Sequence, residues 1–218
     1  LVRTEIVYES GSMVEFFGGS APESNYDNWV SHVTEGIART GYNDFGPEWL
    51  DVQTNGFGNY RKLNEGSQAL LHWETILSQF VSGDTLGVDS LLQDSLDTFF
   101  YELVVFEDTT LNKSFYMLRE QIDSSFVDVN QPDETADDVI GGFRNGWGLF
   151  IINPSASREQ VLFQVPHPCD DFIAPYIALD LFLEIDAFGL MISGSSREAA
   201  WSQSGEYTSS KSYSDPSR

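Results

Sequence analysis

With 218 residues that include 16 Phe, 9 Tyr and 5 Trp, the chain has the length and aromatic content to bury a substantial core, which excludes a disordered polymer. Eleven Lys and Arg stand against 34 Asp and Glu, and the resulting net charge of −23 argues against nucleic acid and anionic lipid surfaces as partners. The acids are spread along the chain rather than gathered in a tail, so they predict a solvated acidic shell suited to secreted, extracellular or periplasmic surroundings, although a cytosolic acidic protein would look similar.

A single cysteine, Cys169, leaves no intrachain disulfide framework, so stability has to come from the core or from a bound metal. No apolar run reaches the length of a membrane span, and no signal-peptide pattern opens the chain. The start at Leu1 and the end at Arg218 after a Ser-rich stretch suggest a processed portion of a longer precursor, because cleavage by a trypsin-like protease leaves such an end. One α/β domain over residues 1–218 is expected, with no internal repeat.

Residues 1–66 read as an irregular Gly- and Asn-rich region with short strands, Thr4 to Glu9 being strand-like. Within it, Trp29, Val30, Val33 and Ile37 have helical spacing. Amphipathic helices are predicted over Ser67 to Phe80 and over Asp89 to Leu96, the second opened by an acidic residue that suits the helix dipole. The period then changes. Phe99 to Phe106 and Ser114 to Leu118, separated by a polar turn, predict a β-hairpin, with Ser125 to Val129 a further strand. Pro132 to Asp138 suits an exposed loop.

The C-terminal third has an α/β pattern. Trp147 to Ile152, Gln160 to Val165 and Phe188 to Ile192 read as strands, and Phe172 to Ile185 as a helix with Ile173, Ile177, Leu181 and Ile185 on one face. The last two strands and the helix between them form a strand-helix-strand unit, whose strands should be parallel. The fold class expected is therefore α/β, or α+β, with a mixed sheet, this C-terminal unit and flanking helices. Residues 202–218, rich in Ser and Tyr, read as a polar mobile tail.

Candidate site residues gather in the loops after those two strands, the edge where open α/β sheets place ligands. His167, Asp170 and Asp171, in Pro166-His167-Pro168-Cys169-Asp170-Asp171, bring an imidazole and two carboxylates to one proline-stiffened turn, and these are metal-ligand types. Asp170 and Asp171 equally suit a cap on the following helix. Arg197, with Ser195 and Ser196 in Ser193-Gly194-Ser195-Ser196-Arg197, offers a guanidinium and hydroxyls for a carboxylate or phosphate, or a salt bridge to Asp170 or Asp171. Arg144 is a further candidate for the same work. His32 and His72 lie on helical stretches and suit ordinary surface or core roles. Cys169, beside two acids, is disfavoured as a thiolate nucleophile.

A strand ending in Val-Pro-His-Pro-x-Asp-Asp, then a helix, then a strand ending in Ser-Gly-Ser-Ser-Arg resembles the metal-binding end of zinc-dependent carboxypeptidase-like and N-formylglutamate amidohydrolase-like enzymes, over about residues 146–200. That resemblance implies zinc held by a His-x-x-Glu motif, with His167 as the first ligand and Asp170 in the place of the Glu. It also implies metal-assisted hydrolysis of an amide or ester bond in a small-molecule or peptide-like anionic substrate. The sequence departs from the pattern in two ways: Asp replaces Glu, and no histidine follows His167. The missing ligand either lies beyond Arg218 or on a partner chain, or the site is incomplete and inactive, and no catalytic carboxylate can be assigned. The competing expectation is an extracellular structural or self-assembling, filament-type protein built on a degenerate hydrolase fold. It would form homo-oligomers or assemble with a partner chain from the same precursor.

Overall fold

An aromatic and apolar run buried on both faces marks the central hairpin of the protein. In a computed structural model that describes residues 6–18, 63–121, 145–166, 168 and 173–194, Tyr101–Asp108 (β2) pairs antiparallel with Lys113–Glu120 (β3) over its full length. Tyr101 and Leu103 of β2 face one way, Val104 and Phe106 the other, and each set joins a separate core. A strand buried on both faces needs a layer above and a layer below, and helices supply both.

The sheet has six strands in the order β1-β2-β3-β4-β6-β5. Ile6–Gly11 (β1) runs parallel to β2, Leu149–Ile152 (β4) antiparallel to β3, Ala187–Ile192 (β6) antiparallel to β4, and Arg158–Val165 (β5) parallel to β6. The expected mixed sheet and the parallel strand-helix-strand unit are thus both present. On one face lie Met13–Gly18 (α1) and Ala174–Glu184 (α4), whose Met13, Phe17, Leu179 and Phe182 pack with Phe115, Met117, Ile151 and Leu190. On the other lie Gln68–Ser82 (α2) and Thr85–Phe99 (α3), whose Trp73, Ile76, Phe80, Val88 and Leu92 pack against Tyr101, Leu103 and Leu118.

Local chemistry sets the element ends. The Ser67 hydroxyl accepts the Leu70 N–H as the N-cap of α2, and Gly83 closes that helix in the left-handed region at φ 79°. Helix α3 begins four residues before the expected Asp89, because the Asp84 carboxylate accepts the Gly87 N–H and organises an earlier first turn. The predicted helix around Trp29 and the predicted strand Ser125 to Val129 lie outside the described residues, as do Pro132 to Asp138 and the tail 202–218. So does most of the expected irregular region 1–66, apart from β1, the short helix α1 and residues 63–66.

Helix α4 turns a different face to the core than its four-residue stripe suggested. Pro175, Ala178, Leu179 and Phe182 are buried, whereas Ile173, Ile177, Leu181 and Ile185 are 55, 54, 40 and 37 % exposed. Among the described residues no helix is long and apolar enough to cross a membrane.

Two carboxylates and a guanidinium lock the sheet. The buried Asp108 accepts the Thr110 and Leu111 N–H groups at 2.8 and 2.9 Å through one oxygen, and the Met13 N–H at 2.8 Å through the other. Burial alone would raise this carboxyl; its donors hold it below the ordinary value instead. Arg119 on β3 bridges Glu102 of β2 at 2.7 Å and Glu9 of β1 at 2.8 Å. At the end of α4, Asp186 (φ 56°) binds the Lys113 ammonium and accepts the Asn153 side-chain amide at 2.7 Å and the Ser157 N–H at 3.0 Å.

The Lys113 ammonium, followed by these N–H donors, lowers the Asp186 carboxyl to about 2. Unfolded, the group titrates near ~3.9. Its contribution is therefore complete above about pH 4 and is lost as the pH falls toward 2. Asp186→Asn is expected to lower stability at neutral pH by about 1–2 kcal/mol and to flatten the decline between pH 4 and 2, as read by urea denaturation across that range.

Candidate functional site

The parallel pairing of β5 and β6 brings the two candidate loops to one edge. Val165 and Ile192 are register partners at the strand ends, and the Ser193 N–H reaches the Val165 carbonyl at 3.0 Å. Pro166 and Gly194 follow immediately, so the segments carrying His167, Asp170 and Asp171 and those carrying Ser195, Ser196 and Arg197 leave the sheet side by side. Those six residues lie outside the described residues, as do Arg144, Cys169 and His32. Pro168 is buried.

A third segment meets them there. Leu149, the first residue of β4, pairs with Ile192, and the turn before it, Asn145-Gly146-Trp147-Gly148, lies against the end of β6. The approach is close enough to require glycine. A Cβ on Gly148 (φ 106°) would sit 2.0 Å from the Ile192 carbonyl oxygen, and one on Gly194 would sit 2.7 Å from the Gly148 nitrogen and 2.9 Å from the Gly146 carbonyl carbon. Asn145, the first described residue of that turn, directly precedes Gly146, whose main chain lies against Gly194. The sequence placed Arg144 among the candidates; the structure supplies the reason its neighbour belongs at this edge.

Glu120, at the end of β3, holds that turn. Its side chain is buried, at 1 % exposure, and its oxygens accept the Asn145, Gly146 and Trp147 N–H groups at 2.6, 3.0 and 3.4 Å. The Asn145 amide donates to the Phe99 carbonyl, and the Tyr101 hydroxyl donates to the Gly148 carbonyl at 2.7 Å. Trp73 stands 4.8 Å from both Tyr101 and Trp147 between ring centres, packing an aromatic wall behind the turn. Burial, and secondarily Glu120, raise the Tyr101 hydroxyl well above its ordinary value, so it remains a donor throughout the physiological range.

Sequence reading missed Glu120, Asn145, Tyr101 and Trp147 as a constellation. The signal was present only in part. The spacing Asn-Gly-Trp-Gly marks a backbone-driven turn, but an acid at a strand end reads as a solvated charge, and nothing local tells that it is buried. His72 is partly buried on α2, its ring centre 5.6 Å from that of Phe99 in an edge-on arrangement, and its Nε2 is buried without a hydrogen-bond partner. Among the described residues no group of three or more His, Cys, Asp or Glu is placed to hold a metal ion.

Burial raises the Glu120 carboxyl to about 8, outweighing the N–H donors that favour its charged form. Unfolded, it would titrate near ~4.3. Between those values the folded protein keeps a proton that the unfolded chain has lost, so this group makes stability fall as the pH rises from about 4.3 to 8. Glu120→Gln is expected to remove that descent, while Glu120→Ala, which strands buried N–H groups, should cost about 1–3 kcal/mol at pH 5. Urea denaturation at pH 5, 7 and 8.5 checks both; an unchanged pH slope in Glu120→Gln contradicts the assignment.

In comparisons with known proteins, no family model, no curated protein and no solved structure matches this chain, so the resemblance to zinc-dependent hydrolases rests on the residues quoted for it.

Proposed function

We propose that the chain is a secreted protein of the metal-dependent hydrolase type, with its site on the sheet edge where the loops after β5 and β6 and the turn before β4 converge. The observation that supports this reading is the register of the described ends: Val165, Ile192 and Leu149 are partners at one edge of the sheet, and the candidate ligand and anion-binding residues adjoin those ends in sequence. In this reading His167 and Asp170 hold zinc, with Asp171 as the further oxygen ligand; the N-cap of α4 is Ile173, with no side-chain capping bond, and not one of the two acids. Zinc bound there would polarise an amide or ester carbonyl and bring a coordinated water near neutral pKa.

The remaining roles belong to the chain. Arg197, with Ser195 and Ser196, takes the anionic end of a small-molecule or peptide-like substrate, and Arg144, which precedes in sequence the turn clamped by Glu120, is a further candidate for the same work. Zinc titration against a competing chromophoric chelator tests the reading. Wild-type protein should bind one equivalent, and His167→Ala should bind at least about tenfold more weakly. Equal binding by the two, or none by either, would sink it.

A second reading, self-assembly, is favoured by a separate observation. Strand β5 lies at the edge of the sheet, and among the described residues no strand pairs with its outer side. A chain that exposes an unpaired strand and an apolar helix stripe carries two of the features through which proteins associate.

A further inference from the structure

The fold brings acids together without bringing cations to match them. Among the described residues the cations are Lys113, Arg119 and Arg158. Lys113 pairs with Asp186, and Arg119 with both Glu9 and Glu102, whereas Arg158 is exposed. The exposed acids stand outside those pairs and on every layer: Glu15 on α1, Glu74 on α2, Asp94 on α3, Glu107 on β2, Glu159 on β5 and Asp180 on α4. A chain of this length contracts on folding from a radius of gyration of about 50 Å to about 17 Å. A net charge of −23 is thereby confined to a much smaller volume, and its self-repulsion opposes the compact state.

We propose that dissolved salt is the partner this fold requires: mobile cations gathered around the acidic surface relieve the repulsion between its exposed carboxylates, so the protein gains stability as ionic strength rises and is weakest in dilute solution. The response is built into the distribution of the acids. Because they are spread over both helical layers and the sheet, no single local ion site would relieve them, and a diffuse atmosphere does.

Salt also works against the fold, by weakening its ion pairs. Exposure decides which effect is larger. The Arg119 side chain is 14 % exposed and its partners Glu9 and Glu102 are 31 and 17 % exposed, and partly buried pairs are screened much less than charges in open solvent. The exposed acids lie in the solvent that salt fills, where the Debye length falls from about 10 Å at 0.1 M to about 3 Å at 1 M. Repulsion is therefore the contribution that salt removes most completely. Its removal leaves the two apolar cores and the clamped hairpin to hold the chain.

Urea denaturation of the full chain in KCl from about 0.05 to 2 M tests this, urea adding no charge of its own. The folding equilibrium constant is expected to rise on the order of a hundredfold across that range. A triple variant, Glu74→Lys, Asp94→Lys and Asp180→Lys, makes the chain less negative by two units per site at exposed positions on three helices. It is expected to be more stable than the wild type in low salt and to show roughly half of its salt response. A denaturation midpoint that stays level or falls as KCl rises would overturn the proposal. So would a triple variant with the full wild-type response, because the effect would then belong to the salting-out of apolar surface rather than to charge.

Discussion

Two buried carboxyl groups at opposite ends of one hairpin set the positions of the segments around it. A carboxyl taken from water, charged as at Asp108 or protonated as at Glu120 below about pH 8, must find hydrogen-bond partners for its oxygens, and main-chain N–H groups are the donors a folding chain can bring without adding another charge. Asp108 finds them in its own turn and in the first residue of α1, which fixes where that helix starts over the sheet. Glu120 finds them in the turn before β4, which fixes where the fourth strand enters. The hairpin thus aligns elements distant in sequence by satisfying its own end groups, and the two apolar cores fill the space that this alignment leaves.

The same economy shapes the candidate edge. The turn at residues 145–148 is pressed between Glu120, the Tyr101 hydroxyl and the end of β6, with glycine at each point of closest approach. A turn held this way has little freedom of its own. Side chains attached to it, or to the equally constrained starts of the loops after β5 and β6, begin from fixed positions, which is a general requirement for a binding constellation. The aromatic wall of Trp73, Tyr101 and Trp147 adds rigidity from behind.

Much of this architecture was legible in the residues. Short aromatic and apolar runs bounded by turns located the hairpin and the three C-terminal strands, and helical spacing located α2 and α4. The C-terminal unit and its parallel strands followed from element order alone. Three features were not legible. The start of α3 depended on the Asp84 side chain turning back to Gly87, a choice that Asp makes at many turns without starting a helix. The orientation of α4 was ambiguous because Ile173, Ile177, Leu181 and Ile185 and the opposing set Pro175, Ala178, Leu179 and Phe182 are both apolar, so hydrophobicity could not choose between them. The burial of Glu120 arises from β4 and from the aromatic residues of α2 and β2, and no window around residue 120 contains them.

The connections also make the two ends of the sheet unlike. At one end the links are short: Ser12 between β1 and α1, residues 109–112 between β2 and β3, 153–157 between β4 and β5, and 185–186 between α4 and β6. At the other, residues 121–148 join β3 to β4, 166–173 join β5 to α4, and the chain continues past Gly194. An insertion in the short links would disturb a strand register or the Lys113–Asp186 ion pair, and at the other end only Phe100 and the turn at 145–148, which Glu120 and β6 hold, are equally constrained. Changes in loop length are therefore borne most easily by the longer connections at that end, where they leave the hairpin, its clamps and the strand register as they are.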